Sequence, residues 1–124
     1  MSAVAEVKLE LHCENGDGTT VHHKSSKRWS PASGLANGQR SIVSLPGSTY
    51  TSISVPTSAK MMAILLPTSA VSLTLKGTSG DTGIPLSPSS GFAGLDCLIS
   101  LGASPTPGIL NGSSTATTCE VIFF

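Results

Sequence analysis

The chain has 124 residues, and its 7 Lys and Arg balance 7 Asp and Glu, so the formal net charge is zero. Only 11% of the residues are charged, less than half of the roughly one-quarter usual in globular chains, while Ser, Thr, Gly and Pro supply 55 positions. This excludes a basic nucleic-acid binder, which needs surplus cations against phosphate. It also excludes a helical bundle, whose favoured residues are scarce, and, at 39% hydrophobic content, a disordered chain.

What remains is a small all-β domain. At this length one domain is expected, residues 1–124. It divides into an N-terminal hairpin (1–24), a long loop (25–40) and a main sandwich (41–124). No apolar run approaches the roughly 18 residues of a membrane span. Residues 1–10 have neither the basic region nor the apolar stretch of a signal peptide. Synthesis in a cytoplasm and no membrane partner are therefore expected. Cys13, Cys97 and Cys119 are odd in number, widely spaced and without a C-x-x-C pair, which points away from a disulfide framework or a zinc site. They read as small buried hydrophobes.

Residues 3–13 alternate. Ala3, Ala5, Val7, Leu9, Leu11 and Cys13 share one parity; Glu6, Lys8, Glu10 and His12 share the other. Period two over this length predicts a half-buried strand. Asn15, Gly16, Asp17 and Gly18 supply turn chemistry, and residues 19–24 return to complete a hairpin. Residues 25–40 then carry Lys27, Arg28, Trp29, Pro31, Gly34 and Gly38 with no periodic apolar face. A loop of this length is uncommon in a compact domain and is usually functional. Nine of the fourteen charged residues fall within the first 40 positions.

Short strands alternate with punctuation from there on. Residues 41–45 stop at Pro46-Gly47, residues 49–55 at Pro56, and residues 60–66 at Pro67. Met61 to Leu66 is apolar at both parities, as in a strand covered on both faces. Val71, Leu73 and Leu75 alternate with polar residues. A glycine-rich turn covers residues 77–83. Residues 84–86 form a short strand whose Pro85 restricts it to a sheet edge. Leu95, Cys97, Ile99 and Leu101 alternate again, residues 102–108 form a loop, and residues 115–124 form a last strand. About eight to ten short antiparallel strands at such spacing define a β-sandwich or jelly roll.

Candidate chemistry is sparse. His12 and His22 share a parity on adjoining strands, and Glu10 is near, but a zinc site needs a third ligand; the pair reads as exposed imidazoles. No serine lies in a G-x-S-x-G elbow, and no spacing assembles a triad or a carboxylate pair. An enzyme is therefore not expected, and neither is a cofactor or metal. Gly77, Gly80, Asp81 and Gly83 lack the Gly-Lys-Ser/Thr ending of a phosphate loop. They read as a structural turn with positive φ at glycine and an Asp capping local N–H groups, as do Gly16 and Gly18 in the first turn. Lys24, Lys27 and Arg28 beside Trp29 match the preferred anchors of protein interfaces better than a base- or glycan-stacking site.

The stretch 58–86 holds an apolar strand ending in Leu-Pro, a strand closing in Leu75-Lys76-Gly77, and then Gly80-Asp81-Thr82-Gly83-Ile84. This order resembles small structural proteins of tailed bacteriophage virions, over residues 41–124. The resemblance implies a virion component, with a capsid decoration or cement protein bound in many copies to major capsid subunits as the leading expectation. A minor tail or baseplate component and a glycan-binding module for host recognition are the alternatives. Low aromatic content, 4%, disfavours the glycan module. The expected partners are other virion proteins and further copies of the chain, with no nucleic acid. Arg28, Trp29, Phe123 and Phe124 are the expected interface anchors.

Overall fold

A computed structural model describes residues 4–30, 39–66, 72–86 and 97–124. Ten strands run through them: β1 (Ala5–Glu14), β2 (Thr20–Trp29), β3 (Gln39–Leu45), β4 (Thr49–Ser52), β5 (Met61–Leu65), β6 (Leu73–Lys76), β7 (Ile84–Leu86), β8 (Cys97–Ser100), β9 (Gly108–Asn111) and β10 (Thr117–Phe123). Every pairing is antiparallel. Two four-stranded sheets, β3-β10-β5-β8 and β4-β9-β6-β7, form a sandwich, and β1-β2 stands apart as a two-stranded sheet. The all-β sandwich expected from the strand spacing is the observed fold.

Alternation explains the core. Leu45, Met62, Ile64, Cys119, Val121 and Phe123 point inward from the first sheet, and Leu73, Leu75 and Ile109 from the second, into one buried cluster. The strand apolar at both parities is β5, second from the edge and paired on both sides. Met62, Ala63 and Ile64 are all buried there, although they face alternately. Pro85 lies in β7, at a sheet edge, where its missing N–H costs no ladder bond.

β9 is a strand that no sequence pattern marks. Its four residues, Gly-Ile-Leu-Asn, show no alternation, yet β9 pairs with both β4 and β6. A Cβ on Gly108 would collide with the Tyr50 ring, which packs over this position on β4. Ile109 is fully buried.

Two corners carry the chain between sheets side by side: β3 into β4, and β9 into β10. Asn111, the buried polar residue of the described core, fastens both. Its Nδ2 donates to Leu45 O (3.1 Å) and Thr115 O (2.9 Å), and its Oδ1 accepts from Ser113 N (3.0 Å). Ser48 N donates to Ser113 O (2.8 Å). A side chain at Gly47 would run into the Ser114 backbone, so glycine permits the corners to touch.

The 77–83 turn matches its structural reading in part. Asp81 Oδ2 accepts from Thr78 N (2.8 Å), and Asp81 N donates to Thr78 O (3.2 Å). Gly83 takes φ +79, whereas positive φ is absent at Gly77 and Gly80. At Gly77 a Cβ would meet Asp81 Oδ2 at 2.8 Å, so a side chain there would displace the carboxylate that caps Thr78 N. In the first turn Gly18 takes φ +87 and Gly16 does not.

Candidate functional site: the hairpin arm

The hairpin differs from expectation in two ways. β2 runs to Trp29, so residues 25–29 are strand rather than the start of a long loop. At the other end of the expected loop residues 39–40 already belong to β3, and residues 31–38 lie outside the described residues. Lys-Ser-Ser-Lys-Arg has no apolar alternation; its extended form is imposed by β1, with Leu9 opposite Ser25, Val7 opposite Lys27 and Ala5 opposite Trp29. The second difference is exposure. The apolar parity of β1 was expected to be half-buried, but Leu9 is 42%, Leu11 55% and Val21 63% exposed. Cys13, expected to be a buried hydrophobe, is exposed too. Alternation marks a strand with two unlike faces, and here the apolar one is covered at its base, at Ala5 and in part at Val7, and left exposed from Leu9 to the tip.

The register sorts the arm into those faces. Residues opposite one another share a face. Val7, Leu9, Leu11, Cys13 and Val21 therefore lie together, and β2 adds His23 opposite Leu11, Ser25 opposite Leu9 and, near the base, Lys27 opposite Val7. The other face is polar. Glu6 Oε2 lies 3.6 Å from Arg28 Nε, and Glu6 Oε1 lies 3.5 Å from Lys8 Nζ. Glu10 Oε1 lies 3.5 Å from His22 Nε2, and Glu14 Oε1 lies 3.3 Å from His12 Nε2. His12 and His22 face each other across the strands, rings edge-on at 5.6 Å. Their shared parity is observed, but no group of three or more His, Cys, Asp or Glu suited to a metal ion exists among the described residues.

The arm's tip is a hydrogen-bonded turn. Asn15 N donates to Thr19 O (2.8 Å) and Gly18 N to Asn15 O (3.1 Å). Asp17 Oδ1 accepts from Thr19 Oγ1 (2.7 Å) and Thr19 N (3.0 Å), and these bonds hold its carboxyl below its usual range.

The arm's base is where the expected anchors separate. Trp29 is half-buried in a shallow cavity of about 200 Å³ shared with Lys27, Lys60, Met61, Ser100 and Leu101. It thus joins arm to sandwich within one chain. Its Nε1 is buried without a hydrogen-bond partner among the described residues. Arg28 is 67% exposed on the polar face. Phe123, expected as a surface anchor, is 1% exposed and belongs to the core; its parity in β10 is that of Cys119 and Val121. Phe124 is half-buried and continues the sheet, its N–H donating to Met61 O (3.0 Å) and its C=O accepting from Lys60 N (2.7 Å).

The sandwich surface offers a contrast. Its Lys, Arg, Asp and Glu residues among those described are Arg40, Lys60, Lys76, Asp81 and Glu120, and Arg40 and Glu120 pair at 2.6 Å. Ile42 is 76% exposed on the outer side of β3. A cleft of about 720 Å³ opens where the sandwich edge is flanked by Ile84 and Ile99, beside the 77–83 turn. Its walls are largely apolar. Set against known families, curated proteins and solved structures, the chain finds no match.

Proposed function

We propose that this chain is a non-enzymatic assembly protein, a rigid sandwich presenting a hairpin arm to neighbours in a larger particle. The observation that carries the reading is the arm's apolar face, exposed from Leu9 to the tip. A two-stranded hairpin is marginal by itself in water, and a contiguous exposed apolar face marks an interaction surface. The sparsely charged sandwich supports the same reading, because such a surface tolerates close packing against copies or a large partner.

The resemblance over residues 41–124 favours a tailed-phage virion as the particle, with capsid decoration over major capsid subunits as the specific role proposed. A minor tail or baseplate position uses the same surfaces at lower copy number. Arg28 and Phe124 are the anchors that keep an exposed or half-exposed position, and Trp29 acts by holding the arm at its angle. Quantitative mass spectrometry of virions from the phage encoding the chain tests this. Hundreds of copies are expected for decoration, a handful for a tail site, and absence from the virion overturns the reading.

A further inference from the structure

The two strands of the arm carry opposite charge. β1 holds Glu6, Glu10 and Glu14 against Lys8; β2 holds Lys24, Lys27 and Arg28 and no acid. Both outer edges are open, since β1 and β2 pair only with each other among the described strands. Ten residues of extended chain make each edge about 33 Å long, and a free edge of that length is a template for another strand. Lys24 and Lys27 form no ion pair among the described residues, and Glu14 meets only His12.

We propose that the occupant of these edges is a second copy of the same arm, with β1 of one copy pairing antiparallel to β2 of the next. Three pairings are available in principle. β1 against β1 sets glutamates beside glutamates, and β2 against β2 sets Lys24 and Arg28 beside their equivalents; like charges across a sheet are destabilising. β1 against β2 sets the glutamate-bearing edge beside Lys24 and Arg28, which share its face. That contact is heterologous, so it repeats from copy to copy until a ring closes. Three copies, contributing six strands, are the fewest that close a barrel of ordinary curvature. Closure turns Leu9, Leu11 and Val21 inward together with His23, sets Lys27 at the mouth beside the base, and leaves the face of Glu6, Glu10 and Glu14 in water. Stacking two arms face to face would cover the apolar residues but leave both edges open and the charge asymmetry unused.

This inference rests on reading the arm as an assembly element and is independent of which particle it serves. Light scattering on the size-exclusion peak of the full chain at low salt is expected to give a mass of three or more copies. E10K/E14K makes both edges basic, and K24E/R28E makes both acidic; each is expected to run as a single copy, with the sandwich's circular dichroism retained. The fourfold variant E10K/E14K/K24E/R28E exchanges the charges of the strands and restores the wild-type mass. A wild-type mass of one or two copies, or charge variants that keep the wild-type mass, overturns the proposal. A ring in solution with no copies in virions would remove the virion reading alone. A single-copy chain found abundantly in virions would remove the ring alone.

Discussion

The arm and the sandwich are built from the same local signal, alternating residues, but are held by different means. In the sandwich the inward parity of one sheet meets that of the other, and Met62, Ile64, Ile109 and Val121 are fully buried. In the arm the apolar parity is covered only at the base, where Ala5 is buried and Val7 lies beside Met61 and Leu98 of the sandwich; Leu9, Leu11 and Val21 stay exposed. The arm is held by the register of its two strands, by the Asp17–Thr19 turn and by Trp29 at the base. Period two therefore reports amphipathicity and leaves the covering surface unspecified. A self-sufficient core needs two such faces from the same chain, whereas one face alone implies a surface supplied from outside.

Substitutions should separate the two regions. Phe123→Ala empties the core and is expected to cost about 3–5 kcal/mol in denaturant unfolding. Leu11→Ala, on the exposed arm face, should change the single-copy charge variant's stability by no more than about 0.5 kcal/mol. Equal losses would erase the distinction between the regions. Asn111→Ala comes next. It leaves Leu45 O and Thr115 O without their buried donor, and a loss of about 2–3 kcal/mol is expected from the same unfolding measurement.

Smaller effects report on the joint and the arm. The chain has one Trp, so intrinsic fluorescence reads the base of the arm directly. Met61→Ala opens one side of the Trp29 cavity and should red-shift the emission while leaving the sandwich unfolding midpoint within about 1 kcal/mol of wild type, as for a partly exposed side chain. Unchanged emission would mean that Trp29 does not rest there.

Thiol labelling mapped by mass spectrometry should find Cys13 reactive and Cys119 protected. Burial pushes the Cys119 thiol from its ordinary 9.0 up to about 11, which keeps it neutral. Because the folded-state value is raised, this thiol's contribution to stability is intact below pH 9 and is lost as pH rises toward 11. The smallest effect is at the tip. The Asp17 carboxyl is held below its ordinary 3.8, so its contribution is present above that pH and fades as pH falls through the lowered value. The protection of the Thr19 amide, its exchange by NMR relative to the intrinsic rate at each pH, should fall there, and Asp17→Asn should flatten the dependence.

Much of this was legible in the residues. Leu73 and Leu75, the two-faced apolar run of β5, edge Pro85 and the 15–18 turn all announced their places, because each is a local rule of parity or backbone geometry. Other features were not local. β9 is too short to alternate and is a strand because β4 and β6 flank it. Residues 25–29 are polar and extended because β1 lies beside them. Asn111 looks like any loop asparagine until the two corners meet. Phe123 and Phe124 differ by one position, which in a strand is the difference between core and edge. Trp29 stood out by residue type, but the cavity it shares with Met61 and Leu101 joins positions far apart in the chain.

The central claim is that the sandwich is complete within one chain while the arm is completed by other copies. Hydrogen–deuterium exchange across a dilution series tests it most directly. Protection of β3 to β10 should not change with protein concentration, whereas protection of β1 and β2 should rise steeply as the chain assembles. An arm equally protected at every concentration would contradict the account.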